Sequence, residues 1–553
     1  MMKINKYITA VVLSGVLAVS CTKDFEMVNT NPNNPTDKDI EKDGLASGGY
    51  FVDLVQRPIP TGSGGTELAN EYQVAQNMSV DNWVGYFSPG VNKWDNSLNQ
   101  TSYYVSDGRG NGTFDILVGH LMTPFFKIKT SMHNVRNENG RLVYEPKDLS
   151  SNAIYQVAQI VKIMGMHRAT DMFGPIPYSD MEPGKQNAKY DSQKDVYALF
   201  LRELDDAVRV LNQYGTDKKI LEEFDPVYKG DTSKWVRLAN SLMLRLAIRV
   251  SYADSNLAST YITKATTNAG GLIENDEQAG KLVTSSKYLF YNSLVTLLSY
   301  KELKAGATII SYLDGYADPR MDKYFAKGKP DGKAEGYYGV RSGLDVDTDP
   351  NTYAKFSLPK VLNATPTYWL RASEVQFLLA EAALRGFYSG GSAEALYKKG
   401  IELSFVENGL SASDAQTYYN ASGAQANYVD AVNSNNNVNA VSTIDKKWIT
   451  SGSVEEHLEQ IITQKYIANY PNGYEAWSEW RRTGYPRMFN PVRNLSNVGA
   501  QNINSTGKDL GMRRFPFPQK EIENNGTNVL QARTLLEGSD NAATNVWWDK
   551  KTK

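Results

Sequence analysis

One cysteine, Cys21, stands in 553 residues. No internal disulfide can form, so the fold has no covalent staple. A chain of this length must then hold itself together by burying a large core, and apolar patterning decides which elements can build it. The composition allows this, with 41% hydrophobic residues. Formal net charge is −2, and no basic stripe points to nucleic acid.

The position of Cys21 carries further information. Lys3 and Lys6 are followed by an apolar run over 7–19, and small residues lead into Cys21. Basic, apolar and small is the layout of a secretory signal. The run is shorter than the ~20 residues a membrane-spanning helix needs. Two lysines and no acids leave with residues 1–20, which takes −2 to −4. The segment resembles a bacterial lipoprotein signal peptide, in which the cysteine is acylated and becomes the new N-terminus. Ala18 stands where Leu is usual and Leu17 lies one residue earlier, a looser form that resembles Bacteroidetes lipoproteins. Lys23, Asp24 and Glu26 resemble the acidic tether that sends such lipoproteins to the cell surface. Residues 21–40 are polar and rich in Asn and Pro, and read as a lipid-anchored tether.

Helical periodicity dominates the remainder. Residues 231–254 place Trp235, Leu238, Leu242, Leu246 and Val250 on one stripe, with Thr232 or Ser233 as cap. Arg237, Arg245 and Arg249 fall on another face, read as solvated or salt-bridged. The stretch 371–386 opens on Ser373-x-x-Gln376, a capping-box pattern, and ends at Gly386. A second amphipathic helix follows over 392–409. Similar helix pairs are expected at 151–168 with 192–212, at 232–252 with 255–267, and at 455–470 with 474–482. These are TPR-like units in an interrupted array within 151–482. Pro175 and Pro177 forbid helix, so 173–178 should be a rigid turn. The gaps 81–115, 268–365, 411–452 and 484–548 read as large irregular loops with minor β.

Such loops commonly carry binding. Aromatics make up 11% of the chain, led by 34 tyrosines. Tyr and Trp present a flat apolar face with a polar handle. The stretch 79–104 gathers Trp83, Tyr86, Trp94, Tyr103 and Tyr104 with Asp81, Asn82, Asn92 and Asn96. Rings beside short amides suit a sugar or a peptide backbone. The candidate ligand residues are Trp83, Tyr86, Trp94, Asn96, Tyr103 and Tyr104. For Trp83 and Tyr86, packing beneath the loop is an equal reading. Trp94 sits in VNKWDNS without apolar periodicity and is expected to be a main stacking ring. The stretches 287–300 and 335–343 are weaker contributors.

Enzyme motifs do not emerge. His120, His133, His167 and His457 show no metal-ligand spacing. TGSGGTE (61–67) lacks the strand and spacing of a nucleophile elbow, and GRGNG (108–112) lacks a phosphate-loop context. Asp345, Asp347 and Asp349 are spaced like the start of a calcium loop. Pro350 replaces the turn glycine and Phe356 the closing glutamate, so a solvated acidic loop is favoured. The expectation is a chain that is no enzyme and has no cofactor beyond its lipid.

Several stretches share one family resemblance. They are CTKDFEMVNTNPNNPT, HRATDMFGPIPYSD (167–180), WVRLANSLMLRLAIR (235–249) and ADPRMDKYF (317–325), then YWLRASEVQFLLAEAALRG (368–386). QKYIANYPNGYEAWSEWRRTGYP (464–486), RRFPFPQKE (513–521) and the terminal VWWD (546–549) complete the set. Over its whole length the chain resembles the SusD/RagB outer-membrane lipoproteins, in the branch described as SusD-like, starch-binding, associating with the outer membrane. The resemblance implies a mostly α fold, with TPR-like helix pairs carrying a loop-rich ligand face, over a single domain 21–553. It implies a nutrient-binding lid for a SusC-like TonB-dependent β-barrel transporter, lipid-anchored on the outer face of the outer membrane. The ligand would be an oligosaccharide or a peptide. In starch-binding members a ring from roughly the 79–104 region joins an aromatic arc, which carries over the region and no exact role. Trp477, Trp480, Arg481, Arg482 and VWWD read as helix packing and ion pairing. A surface adhesin or scaffold on the same helical repeats is the alternative.

Overall fold

The computed structural model describes residues 45–62, 67–90, 100–344, 352–497, 501–503 and 511–552. The lipidation site Cys21, Trp94, Asn96 and the acidic run at 345–349 lie outside the described residues. Two units divide the chain, Met1–Gly49 and Tyr50–Lys553. Of the first, only the start of the helix Leu45–Val55 is described. All that follows concerns the second.

Three helix pairs form where the periodicity places them. Leu149–Phe173 packs on Gln193–Tyr214, which packs in turn on Thr232–Arg249, and that helix on Ser255–Thr267. Ala372–Leu384 packs on both Ala393–Glu407 and Val454–Ala468. Gly473–Thr483 follows Val454–Ala468 after a short turn, and its main packing partner is a π-helix, Gln73–Asp81. Side-chain caps set several starts. Asp148, Ser192, Asp254 and Ser392 each accept from a backbone N–H of the first turn. Ser453 and Glu456 form a full capping box.

Two caps differ from the sequence reading. Asp231, one residue before the expected pair, accepts from Ser233 N and Lys234 N. A carboxylate at the cap also faces the positive end of the helix dipole. Ser373 is no cap at all. The helix starts after Arg371, and the Ser373 hydroxyl donates to Glu407 at 2.6 Å, tying the two helices of that pair together.

Leu149–Phe173 runs five residues past the expected end at 168 and stops at the expected turn over 173–178. Gly174 takes φ 79°, open to glycine at little cost, and Ile176–Pro177 then pairs antiparallel with Tyr190–Asp191. The strands described are short two-stranded ladders, of which His133–Glu138 with Arg141–Pro146 is the longest.

The expected loop regions are partly helical. Asp107–Phe114, Ser293–Ser299, Ala307–Gly315, Ala412–Asn420 and Gly526–Arg533 all fall inside them. Asp107–Phe114 contains three glycines, a composition that opposes helix. Packing against Gln73–Asp81 supplies what propensity withholds.

The arginine face of Thr232–Arg249 turns inward. Arg245 meets Glu374 through two bonds of 2.8 and 2.7 Å, and Arg249 reaches Asp171 at 2.7 Å and Glu475 at 2.6 Å. Lys465 bridges Glu479 at 3.3 Å and Glu374 at 3.5 Å. All of these side chains are buried. The salt-bridged reading of this face therefore holds: Arg237 pairs with Glu274 at 3.3 Å near the surface, whereas Arg245 and Arg249 belong to an internal ion network that joins five helices. Removing one member of such a network strands its partner's charge in a low dielectric, at a cost of ~3–5 kcal/mol.

Among the described residues no helix is long and apolar enough to cross a membrane.

Candidate functional site

The helix Gly473–Thr483 is the spine of the site. Its first amide, Gly473 N, donates to the buried Asp81 carboxylate at 3.1 Å, and the Tyr474 hydroxyl donates to Ala75 O at 2.9 Å. These bonds lock the helix to the π-helix that leads into Trp83. Trp477 and Trp480, one turn apart, then lie on one side of the helix. The helix stops at Gly484 in a left-handed conformation, φ 86°.

Trp83 and Trp477 pack together, with ring centroids 5.2 Å apart, and Trp83 also meets Phe515 edge-on at 5.6 Å. Both indole nitrogens donate to backbone carbonyls, Trp83 to Gln100 O at 2.7 Å and Trp477 to Met512 O at 2.9 Å. The Arg481 guanidinium lies 3.2 Å from the Trp477 ring centroid. Burial lowers its pKa to about 9, and its Nη1 donates to Asp171 O and Arg513 O. These rings are held rigidly. Trp480 is the exception, since it is only partly buried, with the Arg513 guanidinium 4.6 Å from its ring centroid. Gly511 permits that position, because a Cβ there would stand 2.3 Å from the Trp480 ring.

A cleft of about 280 Å³ opens over these rings. Trp83, Tyr103, Trp477, Trp480 and Phe489 supply aromatic wall, and Met488 and Met512 fill between them. Arg487 and Asn490 add polar groups. Arg487 is about half exposed and pairs with Glu459 at 3.4 Å, and Arg341 holds Asn490 through its carbonyl at 2.5 Å. The arrangement can stack the apolar face of a ring-shaped solute and hydrogen-bond its edge.

The candidates named from sequence fare differently. Trp83 and Tyr103 come together in the cleft wall, although Trp83 is only 7% exposed. Tyr103 takes φ 62°, a costly conformation for a bulky side chain that the surrounding packing must enforce. Tyr104 is half-buried and does not line the cleft. Tyr86 is a correction to the ligand reading. It is fully buried, its ring stacks on Tyr466 at 4.6 Å, and its hydroxyl donates to Tyr466 O. No ring face is left to a ligand, so the packing alternative holds for Tyr86.

Sequence reasoning assigned Trp477 and Trp480 to packing. Trp477 fits that reading, whereas Trp480 also faces the cleft. The three-residue spacing was the available signal, since it puts both indoles on one face. Phe489 and Asn490 follow a cis Tyr485–Pro486 bond in an irregular stretch and carried no periodic signal. Among the described residues no group of His, Cys, Asp and Glu is arranged to hold a metal ion.

Comparison with known proteins places this architecture. The SusD-like family, described as SusD and RagB outer membrane lipoprotein, matches residues 27–549. Solved structures superpose over nearly all of their length. BT1043 is 34% identical, with a TM-score of 0.83 and coverage of 92% of this chain and 99% of its own. A chitin-binding SusD homologue from Flavobacterium johnsoniae is 31% identical, with a TM-score of 0.81 and the same coverages. A SusD homologue from Bacteroides vulgatus is 30% identical, with a TM-score of 0.82, covering 93% of this chain and 99% of its own. The search of curated proteins returned no match.

Proposed function

The chain belongs to the SusD-like family of SusD and RagB outer membrane lipoproteins, and on that premise we propose that it captures nutrient glycans at the cell surface. It does so as a lid for a SusC-like TonB-dependent β-barrel transporter, held to the outer membrane by acylated Cys21. The observation that carries the binding role is the aromatic cleft between Trp83, Trp480 and Phe489, with Arg487 and Asn490 among its walls. Pyranose rings have apolar faces and hydroxylated edges, which suits rings that stack and a few polar groups that orient. A glycan is preferred to a peptide because a homologue 31% identical over 92% of this chain is described as chitin-binding.

Calorimetric titration with chito-oligosaccharides, other oligosaccharides and peptides tests the ligand class. Binding by a glycan, weakened in Trp480→Ala, is expected. Binding by peptides alone would overturn the glycan assignment. Pull-down from detergent-solubilised membranes tests the lid: a co-purifying large β-barrel transporter is expected, and its absence would remove the transport role.

A further inference from the structure

A second concavity shares no residue with the aromatic cleft, and lysine dominates its walls. The stretch KGKPDGK (327–333) sets three lysines within seven residues. Ala326 pairs with Leu358, and Gly328 exchanges two backbone bonds with Gly336, at 2.8 and 3.0 Å. Between them the chain turns at Pro330–Lys333, where Lys333 N donates to Pro330 O at 3.0 Å and Gly332 takes φ 72°. Lys329 N donates to Lys355 O at 2.9 Å, which draws a fourth lysine alongside. These segments enclose a recess of about 540 Å³. All four lysines line it, and Asp331 is its one carboxylate among the described residues. Leu358, 39% exposed, adds apolar wall.

The lining thus carries an excess of three positive charges, in a chain whose formal net charge is −2. Asp331 pairs with Lys355, but both are exposed and solvent screens the pair. Lys327, Lys329 and Lys333 are exposed and have no carboxylate within ion-pair distance among the described residues. A further cation stands behind the wall. Lys304 is buried, and its ammonium donates to the carbonyl of Ala354, a wall residue, at 2.6 Å. Burial lowers its pKa to about 8 with no carboxylate to offset it, so it stays largely charged at neutral pH. Charge of one sign gathered in a recess focuses the potential on whatever enters.

The chemistry of the walls narrows the ligand. A single small anion is best held by a guanidinium fork or by converging backbone N–H groups. Lysines are point charges on flexible stems, and here they are spread over a turn and its neighbouring segment, which suits several anionic groups carried on one chain. A bilayer offers a flat plane of headgroups, which a recess does not match. The geometry points to this recess as a second saccharide site, for an acidic polysaccharide whose carboxylates or sulfates pair with Lys327, Lys329, Lys333 and Lys355 while a ring face meets Leu358. The assignment rests on the proposed capture of glycans at the cell surface, and it adds a requirement for charge.

Native gel electrophoresis of the full mature chain through chondroitin sulfate, polygalacturonate or neutral dextran tests this, with sedimentation on phosphatidylglycerol vesicles alongside. Retardation by chondroitin sulfate or polygalacturonate, weakening as salt rises, is expected. The first polymer carries sulfate and carboxylate and the second carboxylate alone, so their comparison names the anion. The triple variant Lys327→Gln, Lys329→Gln, Lys333→Gln should weaken that retardation roughly tenfold, whereas Trp480→Ala should keep it. The lysine variant reads the recess and Trp480→Ala reads the cleft, so either assignment can fail without the other. Should the triple variant fail to fold, Lys333→Gln alone, on the exposed turn, carries the same comparison. No retardation by either acidic polymer, equal retardation of variant and wild type, or binding to the vesicles alone overturns the inference.

Discussion

Arg482 and Glu381 face each other as parallel forks, with Nη1 to Oε1 and Nη2 to Oε2 each at 2.5 Å, both side chains being fully enclosed. The pair links the helix that carries Trp477 and Trp480 to Ala372–Leu384. Two-point contacts between guanidinium and carboxylate are directional as well as strong. The tryptophans are thus oriented by an ion pair on the far side of their own helix.

Breaking that pair on one side should be severe. Arg482→Met leaves Glu381 buried with only the partly buried Arg385 beside it, at 3.0 Å. Urea unfolding is expected to show a loss of ~3–5 kcal/mol. The double variant Arg482→Met with Glu381→Leu removes both charges and should be more stable than Arg482→Met alone. A double variant no better than the single would mean that the pair is not the cause.

Acid should attack the network through Glu479. Its carboxyl is buried, yet Arg482, Lys465 and Arg249 outweigh desolvation and hold its pKa down at about 2, against an ordinary 4.5. A lowered pKa means the unfolded chain binds the proton more readily. The contribution is therefore complete above about pH 4.5 and is lost as pH falls toward 2, by up to ~3 kcal/mol. Glu479→Gln should flatten the acid limb of a stability–pH curve, and an unchanged limb would refute the assignment.

Asp81 should act in the opposite sense. It accepts from Tyr72, Gln76 and Gly473 N, but burial dominates and raises its pKa to about 6 from 3.8. Here the folded chain binds the proton more readily. The contribution is complete below about pH 4 and is lost as pH rises through 6. The unfolding free energy of wild type minus that of Asp81→Asn should fall between pH 4 and pH 7, by up to ~3 kcal/mol. A difference independent of pH would show that Asp81 titrates normally.

The two cleft tryptophans on one helix should separate binding from stability. Trp480→Ala removes a partly buried ring and should weaken glycan binding roughly tenfold to a hundredfold, about 1–3 kcal/mol, with a smaller change in Tm than Trp477→Ala. Trp477→Ala empties a buried site and should cost ~3–5 kcal/mol of stability. Calorimetry and thermal unfolding on both variants check this, and equal losses of stability would contradict it.

Lipidation makes a prediction about location. On the proposed acylation of Cys21, the Cys21→Ala variant should move from the membrane fraction to the soluble fraction in cells lacking the partner transporter, because the buried acyl chains would be the anchor. Retention in the membrane fraction would remove the lipid assignment.

The helix pairs were legible because their signals are local. The stripe Trp235–Leu238–Leu242–Leu246–Val250 and the break at Pro175 and Pro177 depend on neighbours within a few turns. The equally local Ser373-x-x-Gln376 pattern misled, because a distant residue, Glu407, takes the Ser373 hydroxyl. The family-wide motifs were legible too, since they recur along the chain in order. Burial was not, because it is set by residues far apart in sequence. Tyr86 lies under Tyr466, 380 residues away, and that contact alone turns a candidate stacking ring into core. Arg245 and Arg249 look like a solvated face until Glu374, Asp171 and Glu475 arrive from three other helices. The sequence by itself thus determined the helical scaffold and its kinship, for which i, i+3 and i, i+4 spacing suffice. Only the tertiary structure decided which tryptophans share a cleft and which charges lie inside, because desolvation depends on everything that packs around a group.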